Sequence, residues 1–119
     1  MKLEARELRI GNYVIDNRDD SIHRITAGTI HSFEFSNKDI LSPIPLTEEW
    51  LLRFGFKQRE SKDWFYNDKF VIEKYFGKDR FCIRFRVFEN ESIEIAKVDF
   101  VHQLQNITHS LTGTELILK

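Results

Sequence analysis

The chain has 119 residues, 41% hydrophobic and 31% charged, enough for one globular core and a tight fit for two. Eighteen Lys/Arg against nineteen Asp/Glu give a formal charge of −1, which excludes a polyanion binder of the strongly basic kind. One cysteine, Cys82, excludes an intrachain disulfide and an all-cysteine zinc site, and no apolar run reaches the roughly 20 residues that span a bilayer.

The N-terminal segment carries acids and no apolar stretch of the signal-peptide kind, so the cytoplasm is the expected location. Leu8, Ile10 and Val14 suggest an edge broken by Gly11-Asn12, and Asp16 to Ser21 reads as a polar turn. Ile22 to Ile25 resumes an apolar pattern, Ala27-Gly28 marks a turn or bulge, and Thr29 to Phe35 alternates. Three or four short strands this close predict a small meander or partial barrel. Pro43 and Pro45 mark the one seam, because proline fixes φ and biases its predecessor to extended backbone.

A short helix of about eight residues follows. Thr47 suits its N-cap, Glu48 and Glu49 favour its positive end, and Leu46 with Leu51 forms a staple. Gly55 supplies the left-handed stop, and Phe56 folds back towards Leu51. Trp50 and Phe54 share a face, and a helix this short needs them docked on a neighbour to persist. Strands are predicted at 64–66, 70–76, 80–88 and 92–98. In the third, Phe81, Ile83, Phe85 and Val87 point to the core, opposite Arg80, Cys82, Arg84, Arg86 and Phe88. A one-sided sheet of this kind is antiparallel. A second helix is predicted from a cap at Asp99 to a stop at Gly113. Its apolar face is Phe100, Val101, Leu104, Ile107, Thr108 and Leu111; its solvent face is His102, Gln105, Asn106 and His109. Leu116 to Leu118 forms a last strand or packs the tail. The expected fold is therefore α+β: short N-terminal β-strands, a short helix, an antiparallel sheet of about four strands and a C-terminal helix packed on one face. It is read as a single domain, 1–119, with sub-parts 1–42 and 43–119.

No residue pattern carries a reaction. Asp16, Asp19 and Asp20 cluster, but a calcium loop counted from Asp16 needs glycine and glutamate where Ser21 and Ala27 stand. His102 and His109 are two helical turns apart, roughly 10 Å, too far for one zinc ion. Cys82 lies between Arg80 and Arg84, which would lower its thiol pKa, but no base stands near it in sequence. The glycines form no phosphate cradle, and no cofactor is expected.

Two surfaces remain. The helix face of His102, Gln105, Asn106 and His109 is suited to hydrogen-bond a partner, and the exposed edge of the sheet is suited to strand addition. The strand face of Arg80, Arg84, Arg86 and Phe88 could meet phosphates and stack a base. Residues 57–86 hold nine Lys/Arg against five Asp/Glu, and residues 87–99 hold one against four, so neighbouring strands also have the means to neutralise each other. Glu73 and Glu94 are the expected partners of the arginines.

The segments ELRIGNYV, PIPLTEEWLLRFGF and FVHQLQNITHSLTGTEL resemble a family of small proteins encoded by Bacteroides-type gut bacteria, their phages and their mobile elements. The family brings no established activity, cofactor or catalytic residue to these positions. The resemblance implies a bacterial cytosol and an accessory, phage-related role. The leading expectation is a non-enzymatic interaction module that binds a protein partner or itself. The alternatives are nucleic-acid binding through Arg80, Arg84 and Arg86, and an enzyme built on Cys82 or a histidine.

Overall fold

Alternation of side chains along short β-branched and aromatic runs, interrupted by turn residues, builds two antiparallel sheets. The computed structural model of the chain describes residues 3, 7–29, 40–60, 63–75, 80–88 and 91–119. The chain divides into two compact units, Met1–Pro45 with Phe100–Glu115 and Leu46–Asp99 with Leu116–Lys119. The first crossing between them falls at the proline seam. The last helix, however, belongs with the N-terminal strands and not with the sheet that precedes it in sequence.

In the first unit, β1 (Tyr13–Asp16) lies between β2 (Ser21–Arg24) and β3 (Leu41–Ser42), antiparallel to both. The polar turn joining β1 to β2 forms as expected. Asp19 accepts from the Ser21 N–H and hydroxyl, and Asp20 takes a left-handed φ of 57°. Leu8 and Ile10 lie outside the strands. Residues 27–29 form a helical turn in which the Thr26 and Thr29 side chains cap each other's N–H groups. The strand expected at 29–35 lies, from residue 30 on, outside the described residues. Leu3, Leu8, Val14, Ile25 and Leu41 make the apolar core. Helix α2 (Val101–Thr112) packs on this sheet and buries Val101, Leu104 and Thr108. Its N-cap is Phe100, not Asp99: the Gln103 side chain reaches back to accept from the Phe100 N–H, so no carboxylate is needed there. Gly113 ends it at φ 72°.

In the second unit, helix α1 (Glu48–Arg53) forms with the predicted devices. The Thr47 hydroxyl accepts from Trp50 N at 3.3 Å, Gly55 turns at φ 94°, and Phe56 N donates to Leu51 O at 3.1 Å. Five strands follow in sequential antiparallel order: β4 (Lys57–Gln58), β5 (Trp64–Tyr66), β6 (Phe70–Lys74), β7 (Phe81–Phe88) and β8 (Glu91–Val98). The two-residue β4 has no periodicity to read in sequence. Asn67 makes the β5–β6 turn, its side chain accepting from Lys69 N and Phe70 N. One sheet face buries Phe65, Phe70, Ile72, Phe81, Ile83 and Val98. Lys74 lies on that same face, opposite Phe81, and reaches Glu48 at 3.4 Å, which places α1 over it. Val87, expected in the core, is 44% exposed at the far end of β7. The tail forms no strand; Lys119 N donates to Arg53 O at 2.8 Å.

Trp50 is 7% exposed, meets Phe54 in a tilted contact with ring centroids 5.6 Å apart and carries Arg53 over its ring. Trp50→Ala is expected to cost about 3–5 kcal/mol, the range for truncating a buried large aromatic, in chemical denaturation. A loss below about 1 kcal/mol would contradict the docking of α1.

Candidate functional site

The helix face expected to meet a partner turns inward. Gln105 is fully buried: its Oε1 accepts from Tyr13 N at 2.9 Å, and its Nε2 donates to Gly11 O at 3.1 Å. The side-chain amide thus pairs with the backbone entering β1 as a neighbouring strand would. Asn106 Oδ1 accepts from Arg9 Nε and Asn12 Nδ2, and its Nδ2 donates to Glu7 O. Arg9 also forms a bidentate pair with Glu115, which fixes the segment after α2. His102 is 1% exposed, lies parallel to the Phe100 ring, and has Glu7 Oε1 at 3.8 Å. Neither of its ring nitrogens has a hydrogen-bond partner among the described residues. His109 is half-exposed, as Asn106 is, but takes no part in this cluster. Gln105 and Asn106 therefore bond inward, their amides satisfied by β1 and its approach, whereas His102 is buried by packing with no such bonds among the described residues.

A signal for this was present in the sequence. VHQLQNITHSLT contains no Lys, Arg, Asp or Glu. A solvent-facing helix side is ordinarily charged, so uncharged amides on an amphipathic helix mark buried bonding.

The strand-face arginines of the second unit are also engaged. Arg80 pairs with the Asp99 carboxylate through two nitrogens, at 2.9 and 3.3 Å, and not with Glu73 or Glu94. Arg84 donates to Ser92 Oγ and Ser92 O, and Arg86 to Asn67 O. The Phe88 side chain lies outside the described residues. Glu94 serves the cysteine instead: Cys82 Sγ donates to Glu94 Oε1 at 2.9 Å, and Tyr75 OH donates to the same oxygen at 3.3 Å. Burial and the adjacent carboxylate push the Cys82 thiol up to about 11, and the thiol's bond holds the Glu94 carboxyl below its ordinary range. The expected lowering by Arg80 and Arg84 fails because Arg80 is turned to Asp99 and Arg84's charge is outweighed by the nearer Glu94. Cys82 stays a protonated thiol at neutral pH and is no thiolate nucleophile.

Metal chemistry finds no footing among the described residues, which hold no group of three or more His, Cys, Asp or Glu able to bind an ion. His23 bonds Thr29 Oγ1 at 2.9 Å, and His31 lies outside the described residues. Asp16 is tied to Arg18, whose guanidinium and N–H hold its carboxyl down to about 2. No helix among the described residues is long and apolar enough to cross a membrane.

What remains is the distal β7–β8 hairpin. Val87, Ile93 and Ile95 are 44, 56 and 40% exposed. Ile93 sits opposite half-buried Phe85. The register slips between Ile83 and Arg84, so that Ala96 and Glu94 face consecutive β7 residues and Ile95 bulges out. β8 is the last strand of the sheet. Among the described residues, no further strand pairs with its outer side, where the Ser92 carbonyl accepts from Arg84 Nη2 at 3.3 Å.

No family model, curated protein or solved structure matches the chain.

Burial holds His102 neutral in the folded unit, whereas an unfolded imidazole titrates near ~6.5. Below that pH the unfolded chain binds a proton that the folded one resists, so stability should fall as pH drops from about 6.5. Denaturation midpoints measured from neutral to acid pH check this. His102→Leu is expected to flatten the decline, and an unchanged slope would remove His102 as its source.

Proposed function

We propose that the chain is a non-enzymatic interaction module that docks a protein partner on the β7–β8 hairpin. The observation that carries this is three exposed apolar side chains on one hairpin, Val87, Ile93 and Ile95. Single exposed apolar residues are ordinary on any surface; three on one hairpin, two of them on the last strand of the sheet, fit docking by strand addition. The sheet edge anticipated from sequence thus carries the reading, and the helix face does not. An accessory role of the phage-related kind implied by the resemblance is consistent with a small docking module.

A second reading, nucleic-acid contact, is favoured by Arg84. Its guanidinium bonds only the hydroxyl and carbonyl of Ser92 and makes no ion pair among the described residues, so its charge is available to a phosphate. This reading expects retention on heparin at low salt that Arg84→Glu abolishes; retention unaffected by that change would exclude the strand face.

The leading reading is tested by photo-crosslinking. With Ile93 or Ile95 replaced by a photoreactive phenylalanine analogue, a discrete covalent adduct is expected in the cells that express the chain. The same analogue at Leu52, exposed on α1, is expected to give none. Absence of adducts from both hairpin positions would end the proposal.

A further inference from the structure

We propose that the occupant of the hairpin edge is a second copy of this chain, its β8 added antiparallel so that Glu94 of each copy faces Lys97 of the other. The inference rests on the docking reading above and names its partner.

The two edges of the five-stranded sheet are unequal. β4 offers two residues, whereas β8 offers eight with no strand beyond it among the described residues. Along β8 the charges are graded: Glu91 and Glu94 come first, Lys97 last. A parallel copy would set like charge against like. An antiparallel copy sets the acidic half of each strand beside the basic end of the other.

The bulge makes that pairing geometrically consistent. Glu94 stands opposite Arg84 and Lys97 opposite Cys82. Arg84 and Cys82 are two residues apart on β7, so they point to one face, and so do their partners. Glu94 and Lys97 are three residues apart, a spacing that puts them on opposite faces of a regular strand. Ile95, bulged out, absorbs the extra residue. With Glu94 facing Lys97 of the second copy, Ile93 faces Val98 and Ile95 faces Ala96. Ile93 and Val98 share the other face, since they oppose Phe85 and Phe81. The exposed side chain of Ile93 is thereby covered. Bulges and charges on an edge ordinarily keep other strands away; here they exclude a parallel copy and any register that sets Glu94 against Glu94.

The test is sedimentation of the whole chain over a range of concentrations. The wild type should form a reversible dimer. Lys97→Glu and Glu94→Lys should each weaken it by about tenfold or more, since two facing pairs turn from attractive to repulsive. An equimolar mixture of the two variants should dimerise again, because an all-acidic strand then faces an all-basic one at both positions. A wild type that stays monomeric, or a mixture no stronger than its components, overturns the proposal. Glu94→Lys also removes the acceptor of Cys82 and Tyr75; should it fail to fold, hydrogen exchange on the wild type decides. Amides of β8 should gain protection as concentration rises, and protection independent of concentration overturns the pairing. A monomeric wild type whose hairpin crosslinks to a different chain would refute self-pairing and leave the docking surface standing. A hairpin that crosslinks to nothing refutes both.

Discussion

A primary amide removed from water must find partners for its oxygen and its nitrogen, and Gln105 finds both in the main chain at Gly11 and Tyr13. That requirement sets the register of α2 against β1. One helical turn of slip would strand the amide and the Tyr13 N–H together. The neighbouring bonds of Asn106 to Asn12, Arg9 and the Glu7 carbonyl depend on the same placement. A first unit with three short strands has little apolar area to specify a docking angle, and the amides supply what Leu8, Val14, Ile25 and Leu41 leave undetermined.

The second unit is organised differently. Its sheet separates a face of phenylalanine and isoleucine, covered by α1, from a face of long polar side chains. On the polar face, arginines bridge backbone and hydroxyl oxygens, and Glu94 collects a thiol and a phenol. Burial, with the bond to Glu94, keeps Cys82 protonated. The polar-face bonds also give the sheet a finished face and leave its unfinished part at the hairpin end. The aromatic richness of the chain serves this packing: Phe65, Phe70 and Phe81 are interior, and Trp50 with Phe54 fastens the helix above them.

Much of the second unit was legible because its signals are local. Thr47, Gly55 and the alternation from Phe81 onwards act within a few residues, and each element formed where those residues placed it. The first unit was less legible because its determinants are distant. Nothing near Gln105 in sequence announces Gly11 or Tyr13, and His102 resembles a surface histidine until its neighbours are known. The cap at Phe100 was missed for a similar reason: Asp99 looks like a cap, but Arg80, next to the start of the neighbouring strand, claims its carboxylate. Val87 fits the inward alternation, which runs on past the point where the core ends. The β8 bulge was not foreseen, since register slips leave no periodic trace.

The route of the backbone has a further bearing on assembly. Ile44 O accepts from Val101 N and Leu46 N donates to Asp99 O, each at 2.9 Å, while Pro45 bridges Phe100. The outgoing and returning chain are thus stitched side by side at the points where one unit gives way to the other. During synthesis the first three strands emerge early but lack their helix until all of Leu46–Asp99 has been made. The second unit, contiguous except for its last four residues, has no such wait. Ribosomal order therefore favours the inserted sheet folding first, while the first three strands still await α2.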